Sequence, residues 1–148
     1  MASPSSVPTP TAVQSPLNLQ LTIQPGQNLK VLEFLAANSA AINAALTQVG
    51  TVHFARFLVL PGTQTLFVLT EYDGDFNTYL QAFTNILGNV FDGLLSYMDP
   101  APPLPVQQNV QAFADFVAAH NLPSNLYSAY PNCTVLQILG NACTPPGS

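Results

Sequence analysis

Charge is what this chain of 148 residues most lacks: Lys30 and Arg56 are its two basic residues, seven are acidic, and charged residues make up 6% of the sequence. Ordinary globular chains carry roughly 25%. Two cations make no basic patch, so neither a nucleic-acid backbone nor an anionic membrane surface is an expected partner. Long apolar runs are missing as well. Asn, Gln, Ser or Thr interrupts every stretch well short of the roughly 18 residues that a spanning helix requires. No H-x-x-H, H-E-x-x-H or C-x-x-C occurs, and no G-x-S-x-G, P-loop or G-x-G-x-x-G. These absences remove the common metal, nucleophile and nucleotide sites, so no metal is expected.

Cysteine is scarce: Cys133 and Cys143 both lie near the C-terminus. A disulfide closing a tail loop fits that spacing, but with no secretory leader in view the reading favours two free thiols in a reducing, cytoplasmic setting. The glycosylation sequon Asn132-Cys133-Thr134 has no role on that reading.

What is present is apolar: 48% of residues, enough for one domain with a real core. Residues 1–16 are Pro-, Ser- and Thr-rich with little to bury and read as a disordered arm, residues 17–140 as the folded domain, and residues 141–148 as a flexible tail. Leu17, Leu19, Leu21 and Ile23 alternate with polar residues, the period of a strand with one wet face. From Asn28 to Val49, apolar residues recur at helical spacing up to Gly50. Residues 51–60 and 65–72 form a hairpin around Pro61-Gly62. Asp75 is placed to cap a long amphipathic helix that carries Tyr79, Phe83 and Phe91 and runs to Met98. After a Pro-rich connector come a shorter helix around Val110 to Val117, an extended piece around Leu126 to Tyr130 and a helical turn at Val135 to Leu139.

This order predicts an α+β domain of ferredoxin-like β-α-β-β-α-β type, with an extra helix before the last strand. In the hairpin both alternating faces are apolar, so both faces of the sheet should be covered. Helices cover one; a second copy related by a two-fold axis is the economical cover for the other. With its element order, its two-sided hairpin and the runs Val52-His-Phe-Ala-Arg-Phe57 and Tyr72-Asp-Gly-Asp-Phe76, the chain resembles the dimeric α+β-barrel superfamily. That resemblance implies a homodimer packed sheet against sheet. Cofactor-free monooxygenases, polyketide cyclases, haem proteins and ligand sensors all share the superfamily, so it implies no single chemistry.

His53 and Arg56 interrupt an apolar strand, and a period of two puts them on opposite faces unless a bulge intervenes. Hairpin parity then groups His53 with Thr70 and Tyr72, and Arg56 with Glu71 and Asp73. A guanidinium near buried surface calls for a carboxylate, so Arg56 is read as a structural ion pair with Glu71 or Asp73, or as an anchor for a ligand carboxylate. His53 and Tyr72 are the candidate catalytic pair, able to take a proton from a phenol or a carbon acid; the plainer reading is that His53 satisfies a buried hydrogen bond. His120 closes a helix, where the dipole favours an imidazole. The excess of aromatic side chains predicts a site for an apolar or aromatic small molecule between sheet and helices, lined by Phe54 or Phe57 with Tyr79, Phe83 and Phe91. The alternatives are a non-catalytic carrier or assembly protein and, with haem as cofactor, a peroxidase-like protein whose axial ligand is His53 or His120.

Overall fold

In a computed structural model that describes residues 13–144, three strands form an antiparallel sheet in the order β1-β3-β2: β1 is Gln14–Thr22, β2 Val52–Val59 and β3 Thr65–Asp73. Five helices accompany it: α1 Asn28–Ala37, α2 Ser39–Val49, α3 Phe76–Leu95, α4 Val110–His120 and α5 Val135–Leu139. The class is α+β, but among the described residues the sheet has three strands, not the four of the expected ferredoxin-like sheet and the barrel built from it.

The missing strand has a local cause. Near its two ends the C-terminal segment does meet the free edge of β1: the Leu122 amide donates to the Asn18 carbonyl, and the Val13 amide to the Pro131 carbonyl. Asn18 therefore turns its backbone outward, and by alternation so does Pro16, which has no N–H to offer a fourth strand. The lengths also disagree. Six steps along the edge of β1, from Val13 just before it to Leu19, run beside ten of the segment, from Asn121 to Pro131, so the segment bows away from the sheet as an arch. Side chains hold it instead: Asn18 Nδ2 donates to the Leu122 carbonyl and to Ser124 Oγ, and Gln14 Nε2 donates to the Tyr130 and Cys133 carbonyls. Gln14 to Pro16, expected in a disordered arm, belong to β1 and pair with Asp73 to Glu71. Residues 1–12 and 145–148 lie outside the described residues.

Leu17, Leu19 and Leu21, with Leu66 and Val68, face the helices. The helix foreseen from Asn28 to Val49 breaks at Asn38 into α1 and α2, bent by 63°. Asn38 Nδ2 and its backbone N–H both donate to the Phe34 carbonyl, ending the first helix before its own carbonyl starts the second. Asp75 caps α3 as expected, its Oδ2 accepting from the Thr78 amide at 3.0 Å. The aromatic stripe of α3 meets the sheet, with Phe83 edge-on to Phe91 at 4.7 Å and Tyr72 stacked on Tyr79 at 4.4 Å. Among the described residues, no single helix is long and apolar enough to cross a membrane.

Among the described residues, the second face of the sheet meets a helix only at one end, where α5 lies beside Phe54, Arg56 and Glu71. It presents Phe54, Arg56 and Leu58 of β2, Phe67, Leu69 and Glu71 of β3, and the polar side chains of β1. Phe54 is 71% exposed.

Candidate functional site

Ala55, Phe57 and Val59 of β2 point toward the helices, and strict alternation would send His53 there too, beside Thr70 and Tyr72. A β-bulge prevents this. Val52 pairs with Tyr72 and Phe54 with Glu71, leaving His53 as the extra residue. Bulges re-aim side chains in this way. Val52 takes the inward position and packs against the core, while His53 swings to the end of β3 and its Nε2 meets Asp73 Oδ1 at 2.6 Å.

Asp73 joins three parts of the chain. Its backbone N–H donates to the Thr51 carbonyl at 2.9 Å, Oδ1 takes His53, and Oδ2 accepts the Val135 amide at 2.7 Å, at the start of α5. A carboxylate oxygen facing the ring accepts, so Nε2 carries an N–H, and in the neutral imidazole the lone pair then lies on Nδ1. That Nδ1 makes no hydrogen bond among the described residues, and the His53 side chain, 8% exposed, lines a groove.

The bulge also brings His53, Phe54 and Arg56 to one groove, against the parity expectation that separated His53 from Arg56. Its volume is about 850 Å³, within the roughly 300–1,000 Å³ of small-molecule sites. The floor is the upper end of β2 with Glu71 and Gln14, one wall is the arch from Leu126 to Tyr130, and the other is Val135, Ile138 and Leu139 of α5. The groove is open along one side, and Tyr127 stands 87% exposed on its rim. The walls are clamped: besides the bonds to Gln14 and Asp73, Cys133 and Cys143 form a disulfide. The thiols expected to be free are bonded.

Several expected partnerships are not made. Among the described residues Arg56 has no ion pair with Glu71 or Asp73; Asp73 is taken by His53 and Val135, and Glu71 shares the open face without salt-bridge contact. Tyr72 is not joined to His53. It lies buried toward the helices, its hydroxyl pKa raised chiefly by burial and further by Asp75, against a lowering hydrogen bond from Ser15. Tyr79 is raised much further, by burial first and then by Tyr72. Phe57, Tyr79, Phe83 and Phe91 line only a residual space of about 20 Å³ between sheet and helices, scarcely more than one water needs. They fill the core by packing on one another, and haem has no room there. Phe54 points to the opposite face. His120 closes α4, as expected, with Nδ1 donating to the Phe116 carbonyl at 2.7 Å and its ring on Phe116. Among the described residues, no three or more His, Cys, Asp or Glu side chains are placed to hold a metal ion.

The arch and α5 were not foreseen as part of a site. Their only forewarning is the apolar character of Leu126, Tyr127 and Tyr130 in a segment that builds no strand. Comparison with protein-family models, with curated proteins and with solved structures finds no match for this chain.

Proposed function

We propose that the chain binds an apolar or aromatic small molecule, and that it does so in the groove on the outer side of the sheet rather than between sheet and helices. One observation carries this reading: the bulge gathers His53, Phe54 and Arg56 into a cavity of about 850 Å³ whose walls are apolar side chains left exposed. Solvent-exposed Phe and Tyr gain from covering a flat hydrophobic body. The disulfide favours an oxidising compartment over the cytoplasmic one expected from the sequence.

The test is titration with a neutral naphthylamine dye followed by fluorescence. Saturable binding is expected, and replacing Phe54 and Tyr127 together by Ala should weaken it about tenfold, a loss of about 1.4 kcal/mol. Binding unchanged in that double variant, or none in the parent, would refute the proposal.

A second reading, association with another copy, draws on a separate observation. Beyond the groove the open face carries Leu58, 47% exposed, with Phe67 and Leu69, and its charges are the single pair Arg56 and Glu71. A two-fold axis through this face lets each Arg56 approach the other copy's Glu71 while the apolar row is covered. Sedimentation that finds only folded monomer at micromolar concentration removes this reading.

A further inference from the structure

We propose that the groove takes as its ligand an acid with an apolar body, a phenol or an enol, and holds it as the oxyanion, with His53 receiving the proton and Arg56 facing the negative oxygen. This rests on the binding reading above and adds the ligand's chemical class and its ionisation state.

The argument begins with what His53 has left to offer. Nε2–H is committed to Asp73, which fixes the tautomer and compensates the charge of an imidazolium. In the neutral imidazole Nδ1 keeps a lone pair that no described residue uses, and His53 lines the groove. On binding, the ligand O–H bond breaks, an N–H bond forms at Nδ1, and the electron pair stays on the ligand oxygen. No proton reaches solvent and no co-reactant is needed. Arg56 lies three residues further along β2, lines the same groove and has no ion-pair partner among the described residues. A guanidinium is the side chain suited to an oxyanion whose remainder is apolar.

The other charged or titratable groups around the groove are few. Glu71 faces it from β3 and opposes an anion, Asp73 is occupied, and Tyr127 and Tyr130 stand in the arch; α5 contributes only Val135, Ile138 and Leu139. Arg56 and Glu71 should therefore act with opposite sign on the same ligand.

The experiment uses p-nitrophenol, whose ionised form is coloured, at a pH below its own pKa so that the free probe is colourless. The parent protein should develop the phenolate band on binding, with no proton released to a weakly buffered solution. His53→Gln keeps a donor toward Asp73 but has no proton-accepting nitrogen, and should bind the probe without colour. Arg56→Gln should weaken the coloured complex about tenfold, the loss of one charge-assisted hydrogen bond, while Glu71→Gln should strengthen it. A colourless complex in the parent overturns the inference, as does equal colour in folded His53→Gln or unchanged affinity in both charge variants. Should His53→Gln fail to fold by circular dichroism, the parent's spectrum and proton count decide alone. If the neutral dye binds and p-nitrophenol is not ionised, only this inference falls; if neither binds, the binding reading falls with it.

Discussion

Replacing Asp73 by Ala removes one small group and leaves two donors without acceptors: the Nε2–H of His53 and the backbone N–H of Val135. Asp73 is 7% exposed, so water reaches the vacated position poorly. Hydrogen bonds to a charged group are worth about 1.5–3 kcal/mol each. Water following the truncation will recover part of the two, leaving an expected loss of about 3 kcal/mol, or a drop in Tm of roughly 6–12 °C for a chain of this size. That is a large share of a total stability of about 5–15 kcal/mol. The loss should also have a location. Val135 opens α5, and α5 walls the groove, so hydrogen exchange in residues 133–140 should accelerate beyond what global destabilisation explains, while the amides of α3 follow the global change. Urea unfolding and exchange mass spectrometry measure both. Asp73→Ala costing under about 1 kcal/mol, a value typical of exposed pairs, would refute the junction role, as would exchange that rises uniformly.

Gly93 lies on α3 where an added Cβ would stand 2.7 Å from Cε2 of Phe34; Gly93→Ala should therefore destabilise, although Gly→Ala inside a helix ordinarily gains about 1 kcal/mol, and combining it with Phe34→Leu should recover the loss in urea unfolding. Tyr72 and Tyr79 hold their protons more tightly folded than unfolded. Their stabilising contribution is thus complete below the ordinary value of 10.0 and declines as pH rises above it; denaturant midpoints should fall above pH 10, and Tyr79→Phe should blunt that fall. Cys133 and Cys143 should resist alkylation until reduced, and reduction should cost about 2–3 kcal/mol; labelling of either thiol in the unreduced, folded protein would contradict the bond.

Local chemistry made much of the fold readable in the sequence. The alternation from Leu17 to Ile23, the hairpin around Pro61-Gly62, the Asp75 cap and the stripe of α3 depend on neighbours a few residues apart, and each stands where its pattern placed it, except that α3 ends at Leu95 and Met98 bridges Ile23 instead. Asn38 was harder to read, because apolar spacing continues through it and only its side-chain bond to the Phe34 carbonyl ends the helix. Beyond that range tertiary structure decided. Parity alone put His53 with Tyr72, and one extra residue in the ladder moved it to Asp73 and the groove it shares with Arg56. Asp73 could be matched with Arg56 by type, but geometry gave its two oxygens to a histidine 20 positions before it and an amide 62 positions after it. The last strand failed for a reason written at the other end of the chain, the missing N–H of Pro16. A pattern along one segment reports which face is apolar; which distant backbone or side chain meets that face depends on register and on chain length between anchors, and neither is a property of the segment itself.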